Sequence, residues 1–262
     1  MADNTQTSRL AERFNNSYAA RLRSVTLERV HRTAFGDDYA VDTYTNGFYS
    51  GTTLRHLRDA LRLAPHCTLA DLGCGHGGPG LWVAKQTGAH LIGIDISTVG
   101  VDLAREQAVR LGIADRARFR VGDLTATGLP DASCDAVLSL DVLVFVPDKA
   151  AAAREFARIL RTGGTLGFTT WEQSGYSARL DAEQLADHRP LLEAAGFIID
   201  AYEEPPDWRR QQTALAEGLI AAEAALAKEM DKANAAGFAA MARGILADMP
   251  IRRYVCAIAT KR

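Results

Sequence analysis

A glycine-dense turn between an apolar run and a helix constrains this chain more than any other stretch. It lies within residues 68–81, which read TLADLGCGHGGPGL. Glycine adopts positive φ without a Cβ penalty, and it lets a ligand lie against bare backbone. The helix that follows directs unpaired N–H groups and the positive end of its dipole at the same place. The stretch therefore predicts a loop that binds a nucleotide-like ligand.

Short apolar runs that predict strands alternate with helical segments along the rest of the chain. The predicted strands are 69–72, 90–95, 118–123, 134–140, 164–170, 197–201 and 253–259, and the helices between them include 81–86, 99–111, 149–160 and 180–195. This rhythm indicates βαβ units, a parallel sheet and a ligand crevice at the carboxyl ends of the strands. We expect an α/β protein with a Rossmann-like, seven-stranded, mostly parallel sheet and helices on both faces.

The same patterns predict a single domain with helical additions before and within it. We expect an N-terminal helical cap over 1–64, a cofactor-binding core over 65–202, a helical insert over 203–250 and the last strand within 251–262. The apolar positions of the insert recur at helical spacing, as one stripe of Leu215, Leu219, Ala222, Leu226 and Met230. We interpret the insert as a lid on the core, and a coiled-coil surface is the alternative.

Composition narrows the range of partners. The chain has 262 residues with 30 basic and 32 acidic side chains, so no basic excess exists to neutralise nucleic-acid phosphates. Its four cysteines lie far apart without metal spacing, and no run of about 18 apolar residues occurs. We expect a cytoplasmic monomer or homodimer that acts on a small molecule and has no metal, nucleic-acid or membrane partner.

Two cofactors fit the glycine loop. Gly73, Gly75 and Gly78 satisfy the dinucleotide pattern GxGxxG, which would indicate a nicotinamide-dependent oxidoreductase. Asp71 stands two places before Gly73, where a carboxylate would repel a pyrophosphate but would suit the ammonium of S-adenosylmethionine (SAM). Asp95 ends the second strand, and a carboxylate there can accept ribose hydroxyls in either case.

A third acid favours SAM over the dinucleotide. Asp123 and Leu124 follow the third predicted strand, where the acid can accept from an adenine amino group while the leucine packs on the ring. The dinucleotide pattern requires no such pair. The residues therefore favour SAM, and the nicotinamide cofactor remains an alternative.

Five motifs in order extend this preference to a family. DLGCGHG at 71–77, IDIS at 94–97, GDL at 122–124, DAVLS at 135–139 and LRTGG at 160–164 resemble the class I SAM-dependent methyltransferases. Within them the chain resembles the ubiquinone/menaquinone enzymes and the bacterial natural-product methyltransferases. The resemblance implies SAM as methyl donor, S-adenosylhomocysteine (SAH) as product and a small metabolite as acceptor. The cofactor residues it implies are Tyr49 in the aromatic loop at 43–51, Asp71, Gly73, Cys74, Gly75, Gly77, Asp95, Ile96, Gly122, Asp123, Leu124 and Leu140.

The chain departs from these relatives after the fourth strand. Many of them read acidic-x-Leu-His-His-x-Pro-Asp there, whereas residues 141–148 read DVLVFVPD, with Val144 and Phe145 at the histidine positions. A histidine base therefore cannot be carried over, and the apolar wall indicates an apolar or aromatic acceptor on an O, N or C atom. Asp141 and His76 remain the candidate catalytic residues.

Three further residues could lie near the acceptor, and a second type of reaction is compatible with the sequence. We expect Glu172, after the fifth strand, to be exposed, and we consider His188 and Trp208 as possible liners of the acceptor pocket. The missing histidines also leave open a SAM-binding protein of the same fold that catalyses a reaction other than methyl transfer, or that only binds a ligand.

Overall fold

The alternating apolar runs form strands of one sheet in the computed structural model, which describes residues 4–21, 24–40, 47–177, 180 and 182–262. Residues 43–46 of the predicted aromatic loop lie outside these ranges. The strands are β1 (Thr68–Leu72), β2 (His90–Asp95), β3 (Ala117–Val121), β4 (Cys134–Leu140), β5 (Leu160–Glu172), β6 (Gly175–Ser177), β7 (Ala182–Gln184), β8 (Phe197–Glu203) and β9 (Arg253–Lys261). The helices are α1 (Asn4–Arg21), α2 (Val25–Phe35), α3 (Gly51–Ala60), α4 (Gly78–Thr87), α5 (Thr98–Arg110), α6 (Lys149–Ile159), α7 (Arg189–Ala194), α8 (Trp208–Ala221), α9 (Glu223–Glu229) and α10 (Lys232–Asp248).

The main sheet has seven strands in the order β3-β2-β1-β4-β5-β9-β8. The pairs from β3 through β5 are parallel, and β9 runs antiparallel to both neighbours. The fold prediction is therefore confirmed. The strand order reverses direction between β1 and β4, and ligands of open α/β sheets bind at such a switch point.

Two apolar layers cover the sheet because its strands present buried residues to both faces. In β1, Leu69 packs on the side of α3, α4 and α5, whereas Ala70 and Leu72 pack on the side of α6 and α7. This burial on both faces explains why the parallel strands are near-continuous apolar runs. It leaves the carboxyl ends of the strands as the open edge for a site.

The insert forms a third apolar cluster instead of lying flat on the sheet. The predicted stripe is buried at Leu215, Leu219, Ala222 and Leu226, where it packs against α2 and α10. The stripe does not form one helix, because α8 ends at Ala221 and α9 begins at Glu223. This break lets the two short helices follow the surface of α2.

The helix predicted over 180–195 is wrong. The short strand β7 pairs antiparallel with β6, and among the described residues of this segment only α7 is helical, with a proline in its first turn. The buried Lys149 ammonium donates to the carbonyls of Glu183 in β7 and Val146, at 2.6 and 3.0 Å. The long-range hydrogen bond from Lys149 to Glu183 outweighs the local helix propensity of this segment. Across the described ranges no helix has the length and apolarity needed to cross a membrane.

Candidate functional site

The glycine loop between β1 and α4 is built around positive φ angles. Gly73 has φ +77°, and a Cβ there would lie 2.4 Å from the Val142 side chain. Gly75 has φ +52°, and its Cβ would lie 2.6 Å from the Tyr18 hydroxyl. Only glycine fits both positions, so the loop presents bare backbone as the sequence predicts.

Asp95, the last residue of β2, accepts a hydrogen bond from the backbone of Gly75. One carboxylate oxygen accepts the Gly75 N–H at 2.8 Å, and the other accepts the Ser97 N–H at 2.8 Å. A carboxylate offers about four acceptor sites, so these bonds leave capacity for a pair of hydroxyls. Burial raises the pKa of Asp95, which the two N–H bonds oppose.

Asp71 lies beneath the first turn of α4. It is buried, and Oδ2 accepts the Gly80 N–H at 3.1 Å. Burial raises the pKa of Asp71 to about 7; the Gly80 bond opposes this rise, and the Asp95 charge adds to it. A carboxyl with this pKa gains most from a cation placed beside it.

A cavity of about 570 Å³ opens at the carboxyl ends of β1, β2 and β4. Most of the predicted site residues line it, namely Tyr49, Asp71, Gly73, Cys74, Gly75, His76, Asp95, Ile96, Asp123, Leu124, Leu140 and Asp141. The structure does not bring Gly77 or Gly122 to this lining. A Cβ on Gly77 would meet Leu81 and Ala104 in the core, and Gly122 lies against Ile94.

Two helices complete the cavity: α1, which the sequence did not assign to the site, and α10, which belongs to the insert predicted as a lid. From α1 come Thr7, Leu10, Arg13, Phe14, Ser17, Tyr18 and Arg21, and from α10 come Ala233, Asn234, Gly237, Phe238 and Met241. The helical spacing of Leu10, Phe14 and Tyr18 was the available signal, since it marks one apolar face. What that face covers follows only from the tertiary structure.

Helix α1 is seated on the glycine loop and on the start of α5. The Asn15 amide oxygen accepts the Ser97 hydroxyl at 2.7 Å and the Val99 N–H at 3.2 Å. One turn further, the Tyr18 ring meets the His76 ring edge-on at 5.8 Å between centroids. These contacts place α1 across the cavity opposite the sheet.

His76 faces the cavity as a neutral imidazole at pH 7. Burial lowers its pKa to about 4, and the nearby Arg21 charge acts in the same direction. A base with this pKa is weak. His76 lines the cavity, and its catalytic role stays a prediction.

The Asp141 side chain, just after β4, accepts three hydrogen bonds. It adopts φ +61°, and its Oδ2 accepts the Phe48 N–H at 2.7 Å. Its Oδ1 accepts the hydroxyls of Thr169 at 2.8 Å and Tyr254 at 2.7 Å. Burial raises the pKa of Asp141, and these three bonds oppose that rise. The arrangement fixes the Phe48 backbone and, through it, the aromatic wall that Phe48 forms with Trp171 at 4.7 Å.

The weaker acceptor-side candidates lie away from the cavity. Glu172, expected to be exposed, is buried and accepts the His188 N–H at 2.9 Å and the Tyr202 hydroxyl. His188 is fully buried beside it. Trp208 packs near Tyr254 at 6.1 Å between ring centroids and does not line the cavity. The cluster of Glu172, His188 and Tyr202 joins β5 to β8 and α7, and it contributes to the packing of these elements.

The sheet order, the glycine loop and the carboxylates around the cavity define a class I SAM-dependent methyltransferase fold. Residues 70–168 match a family profile described as a methyltransferase domain. Over this stretch the chain is therefore similar to a methyltransferase domain, and its fold is of the class I SAM-dependent type. The finer likeness to the ubiquinone and menaquinone enzymes stays a prediction.

Sequence relatives share this region. The chain is 33% identical over 129 residues to sterol 24-C-methyltransferase ERG6B of Gibberella zeae, which covers 49% of this chain and 34% of that protein. It is 30% identical over 145 residues to methyltransferase GfsG of Streptomyces halstedii, covering 55% and 51%. The chain thus spans about half or less of the length of these curated relatives.

Solved structures extend the likeness to the whole fold. The [4+2]-cyclase SpnF superposes with a TM-score of 0.76 at 23% identity, covering 97% of this chain and 96% of that one. Geranyl diphosphate C-methyltransferase from Streptomyces coelicolor gives a TM-score of 0.69 at 17% identity, covering 100% and 99%. At these identities the likeness concerns the fold.

Proposed function

We propose that the protein transfers the methyl group of SAM to a small, largely apolar metabolite. The observation that carries this proposal is the grouping of Asp71, Asp95 and Asp123 around the glycine loop in one cavity. The ammonium, ribose hydroxyls and adenine amino group of SAM are the donors that three such acceptors suit. A Cβ at Gly73 or Gly75 would overlap the Val142 or Tyr18 side chain, so only glycine keeps this loop in its conformation beside the cavity. When bound, SAM supplies a methyl group activated by a positively charged sulfur.

The remainder of the cavity suits an apolar acceptor. Its wall contains the rings of Phe14, Phe48, Phe145, Trp171 and Phe238. Phe14 and Phe145 meet edge-on at 5.2 Å between centroids, so this wall is packed in a preferred aromatic geometry. The main tasks of these residues are to exclude water and to orient the acceptor for in-line attack. Asp141 contributes by holding Phe48 in this wall.

Helices α1 and α10 cover the cavity in this proposal. Within the insert, α10 reaches the cavity whereas α8 packs on α2. We therefore propose that the lid consists of α1 and α10, and that α8 and α9 support it. The scattered cysteines support a reducing compartment such as the cytoplasm, and the charge balance supports a small-molecule partner over a nucleic acid. We propose a monomer or homodimer.

Calorimetric titration with SAM tests the proposal directly. We expect Asp95→Ala to weaken SAM binding about tenfold or more, because a buried hydrogen-bond partner lost costs about 1–3 kcal/mol. Asp102→Ala, an exposed carboxylate on the neighbouring α5, is the matched control and should bind SAM as the wild type does. Absence of SAM binding at millimolar concentration would refute the proposal.

A second candidate keeps the fold and changes the reaction. Val144 and Phe145 stand where relatives have histidines, and the solved structure described as a [4+2]-cyclase, SpnF, shares the fold across nearly the whole chain. The protein would then bind SAM or SAH and catalyse a different reaction in the aromatic cavity, or only hold a ligand. Labelled methyl transfer from SAM onto any acceptor of a compound library excludes this candidate, and SAM binding without SAH formation across that library favours it.

A further inference from the structure

Trp171 lines the cavity from the end of β5, but its one polar atom is bound behind the cavity wall. The indole Nε1 donates to the Oε1 atom of Gln212 at 2.9 Å. Gln212 is fully buried in α8 and does not itself line the cavity. An indole has one N–H donor and no acceptor, so this bond uses its whole hydrogen-bonding capacity. The wall therefore presents Trp171 to the cavity as an apolar ring.

A second donor fixes the orientation of the Gln212 amide. The buried Arg252 donates from Nη2 to the same Oε1 atom at 2.9 Å. Because Trp171 and Arg252 side chains have donors only, the oxygen of the amide and not its nitrogen must face them. The amide nitrogen then faces the backbone carbonyl of Phe48 at 3.4 Å. Gln212 thus contacts two residues of the aromatic wall with opposite ends of one amide.

The other contacts of the Trp171 ring are less directional than this hydrogen bond. The ring meets Phe48 edge-on at 4.7 Å and Tyr254 at a tilt, at 5.3 Å between centroids. The Arg252 guanidinium carbon lies 5.3 Å from the indole centroid. These contacts act on the ring as a whole, whereas the torsion that turns an aromatic ring on its Cβ has more than one broad minimum. The bond to Gln212 therefore specifies where the N–H lies.

Without the Gln212 oxygen, the indole N–H would be a buried donor with no partner behind the wall. Such a donor is unfavourable, and turning toward a ligand atom that can accept a hydrogen bond would relieve it. The cavity that Trp171 lines is the place where a ligand can supply that atom. The polar character of the wall thus depends on a residue that lies outside the cavity.

We infer that Gln212 is a positioning residue that sets acceptor specificity. By holding the Trp171 N–H and the Phe48 carbonyl behind the wall, it keeps this side of the cavity apolar and selects acceptors that present hydrocarbon or aromatic surface to Trp171. The inference rests on the proposed methyltransferase function and deepens it. It also gives α8 a role in the site: this helix of the insert supports the wall without lining the cavity.

Indole N–H spectroscopy of isotope-labelled protein tests the positioning step. The chain has three tryptophans, and loss of one resonance in Trp171→Phe identifies the signal of Trp171. Gln212→Met preserves side-chain length and removes the acceptor, so the Trp171 indole proton should exchange with water about tenfold faster. Gln212→Glu keeps an oxygen for both donors and should restore the wild-type rate. Gln211→Met, at the buried neighbour on α8, is the matched control and should leave the rate unchanged.

Equilibrium dialysis of the SAH-loaded protein with naphthalene and quinoline tests the effect on specificity. Quinoline has the shape of naphthalene, and its ring nitrogen accepts a hydrogen bond. Relative to the wild type, Gln212→Met should shift the ratio of the two affinities toward quinoline by about fivefold, because the released indole N–H can reach the ring nitrogen. Combining Gln212→Met with Trp171→Phe should abolish this shift, because the donor is then gone. Gln212→Glu and Gln211→Met should keep the wild-type ratio.

Three results would overturn the inference while leaving the proposed function intact. One is an indole proton of Trp171 that exchanges at the same rate in the wild type and in Gln212→Met. Another is faster exchange with no change in the ratio of affinities, which would mean that Gln212 holds the ring without affecting specificity. The third is an equal effect of Gln211→Met, which would indicate a general loosening of α8.

Two further outcomes concern the variant and the proposed function. Should Gln212→Met fail to fold, Gln212→Asn takes its place with the same expected results, because its amide is one carbon shorter and moves away from both wall residues. Failure of the wild type to bind SAH or naphthalene contradicts the proposed function, and the indole exchange rates then still decide whether Gln212 positions Trp171.

Discussion

The carboxyl of Asp71 makes cofactor binding sensitive to pH. Its pKa of about 7 means that it is mostly protonated at pH 6 and mostly ionised at pH 8 in the empty protein. The ammonium of SAM favours the ionised form, so binding at low pH must also release a proton. We expect the Kd for SAM to tighten about tenfold from pH 6 to pH 8, as measured by calorimetry. Asp71→Asn should bind more weakly and show little of this dependence.

The same pKa predicts how the empty protein responds to pH. The folded-state pKa of Asp71 is raised above the ordinary value of 3.8, so its contribution to stability is fully present below pH 3.8. That contribution is lost as pH rises through about 7. In urea unfolding without ligand, the wild type should therefore lose stability relative to Asp71→Asn between pH 4 and pH 7. A parallel pH dependence of the two proteins would contradict the raised pKa.

Asp141 offers a test between positioning and proton transfer. Asparagine tolerates its left-handed backbone, so Asp141→Asn isolates the loss of the carboxylate. We expect the free energy of unfolding to fall by about 1–3 kcal/mol, because the amide cannot accept from Phe48 while also serving both hydroxyls. Tyr254→Phe removes one of these donors and should cost about 1 kcal/mol. Unchanged stability in Asp141→Asn, together with lost turnover, would instead indicate a base.

At the scale of elements, α1 is held to the core by a few polar contacts. Asn15→Ala removes the acceptor for the Ser97 hydroxyl and the Val99 N–H, so we expect a loss of about 1 kcal/mol in urea unfolding. Trypsin should also cleave within α1 more quickly. Asn16→Ala, its exposed neighbour, is the control. Equal effects of both substitutions would mean that the contacts of Asn15 do not anchor this helix.

Elements whose structure depends on residues close in sequence could be predicted, whereas elements whose structure depends on distant contacts could not. The glycine loop and α4 follow from residues that are close in sequence, so their position and conformation were predicted. The segment at 180–195 has helical periodicity, but the anchoring of β7 by Lys149 decides its structure. The contact of Phe14 with Phe145 joins positions more than a hundred residues apart, and no local period reveals it.

At the scale of the whole molecule, the core could be predicted, and the insert could be interpreted as a lid, but the helix of the insert that lines the cavity could not be identified. Strand and helix alternation gives the seven-stranded sheet, because βαβ connections permit few topologies. The apolar stripe of the insert correctly marks a buried face, but that face packs on α2. The part of the insert that lines the cavity is α10, which contributes both small residues, such as Ala233 and Gly237, and the larger Phe238 and Met241.

The different positions of these helices predict which of them a bound ligand will protect from amide hydrogen exchange. Helices α1 and α10 line the cavity, whereas α8 contributes no lining residue: its apolar face packs on α2, and its Gln212 side chain hydrogen-bonds the wall residues Trp171 and Phe48 from behind. A ligand that binds only the folded, closed protein stabilises the elements it contacts against local opening. On addition of saturating SAH we expect slower amide hydrogen exchange in residues 4–21 and 232–248, by about tenfold or more, and little change in 208–221.

The control for this experiment is the Asp95→Ala protein at the same SAH concentration, in which protection of both helices should be largely absent. Uniform protection across α1, α8 and α10 would show that the helical layer responds as one body. Protection of the glycine loop alone would show that neither helix covers the bound cofactor. Either result would contradict a lid formed by α1 and α10, because a helix that seals the cavity cannot open freely while the ligand remains bound.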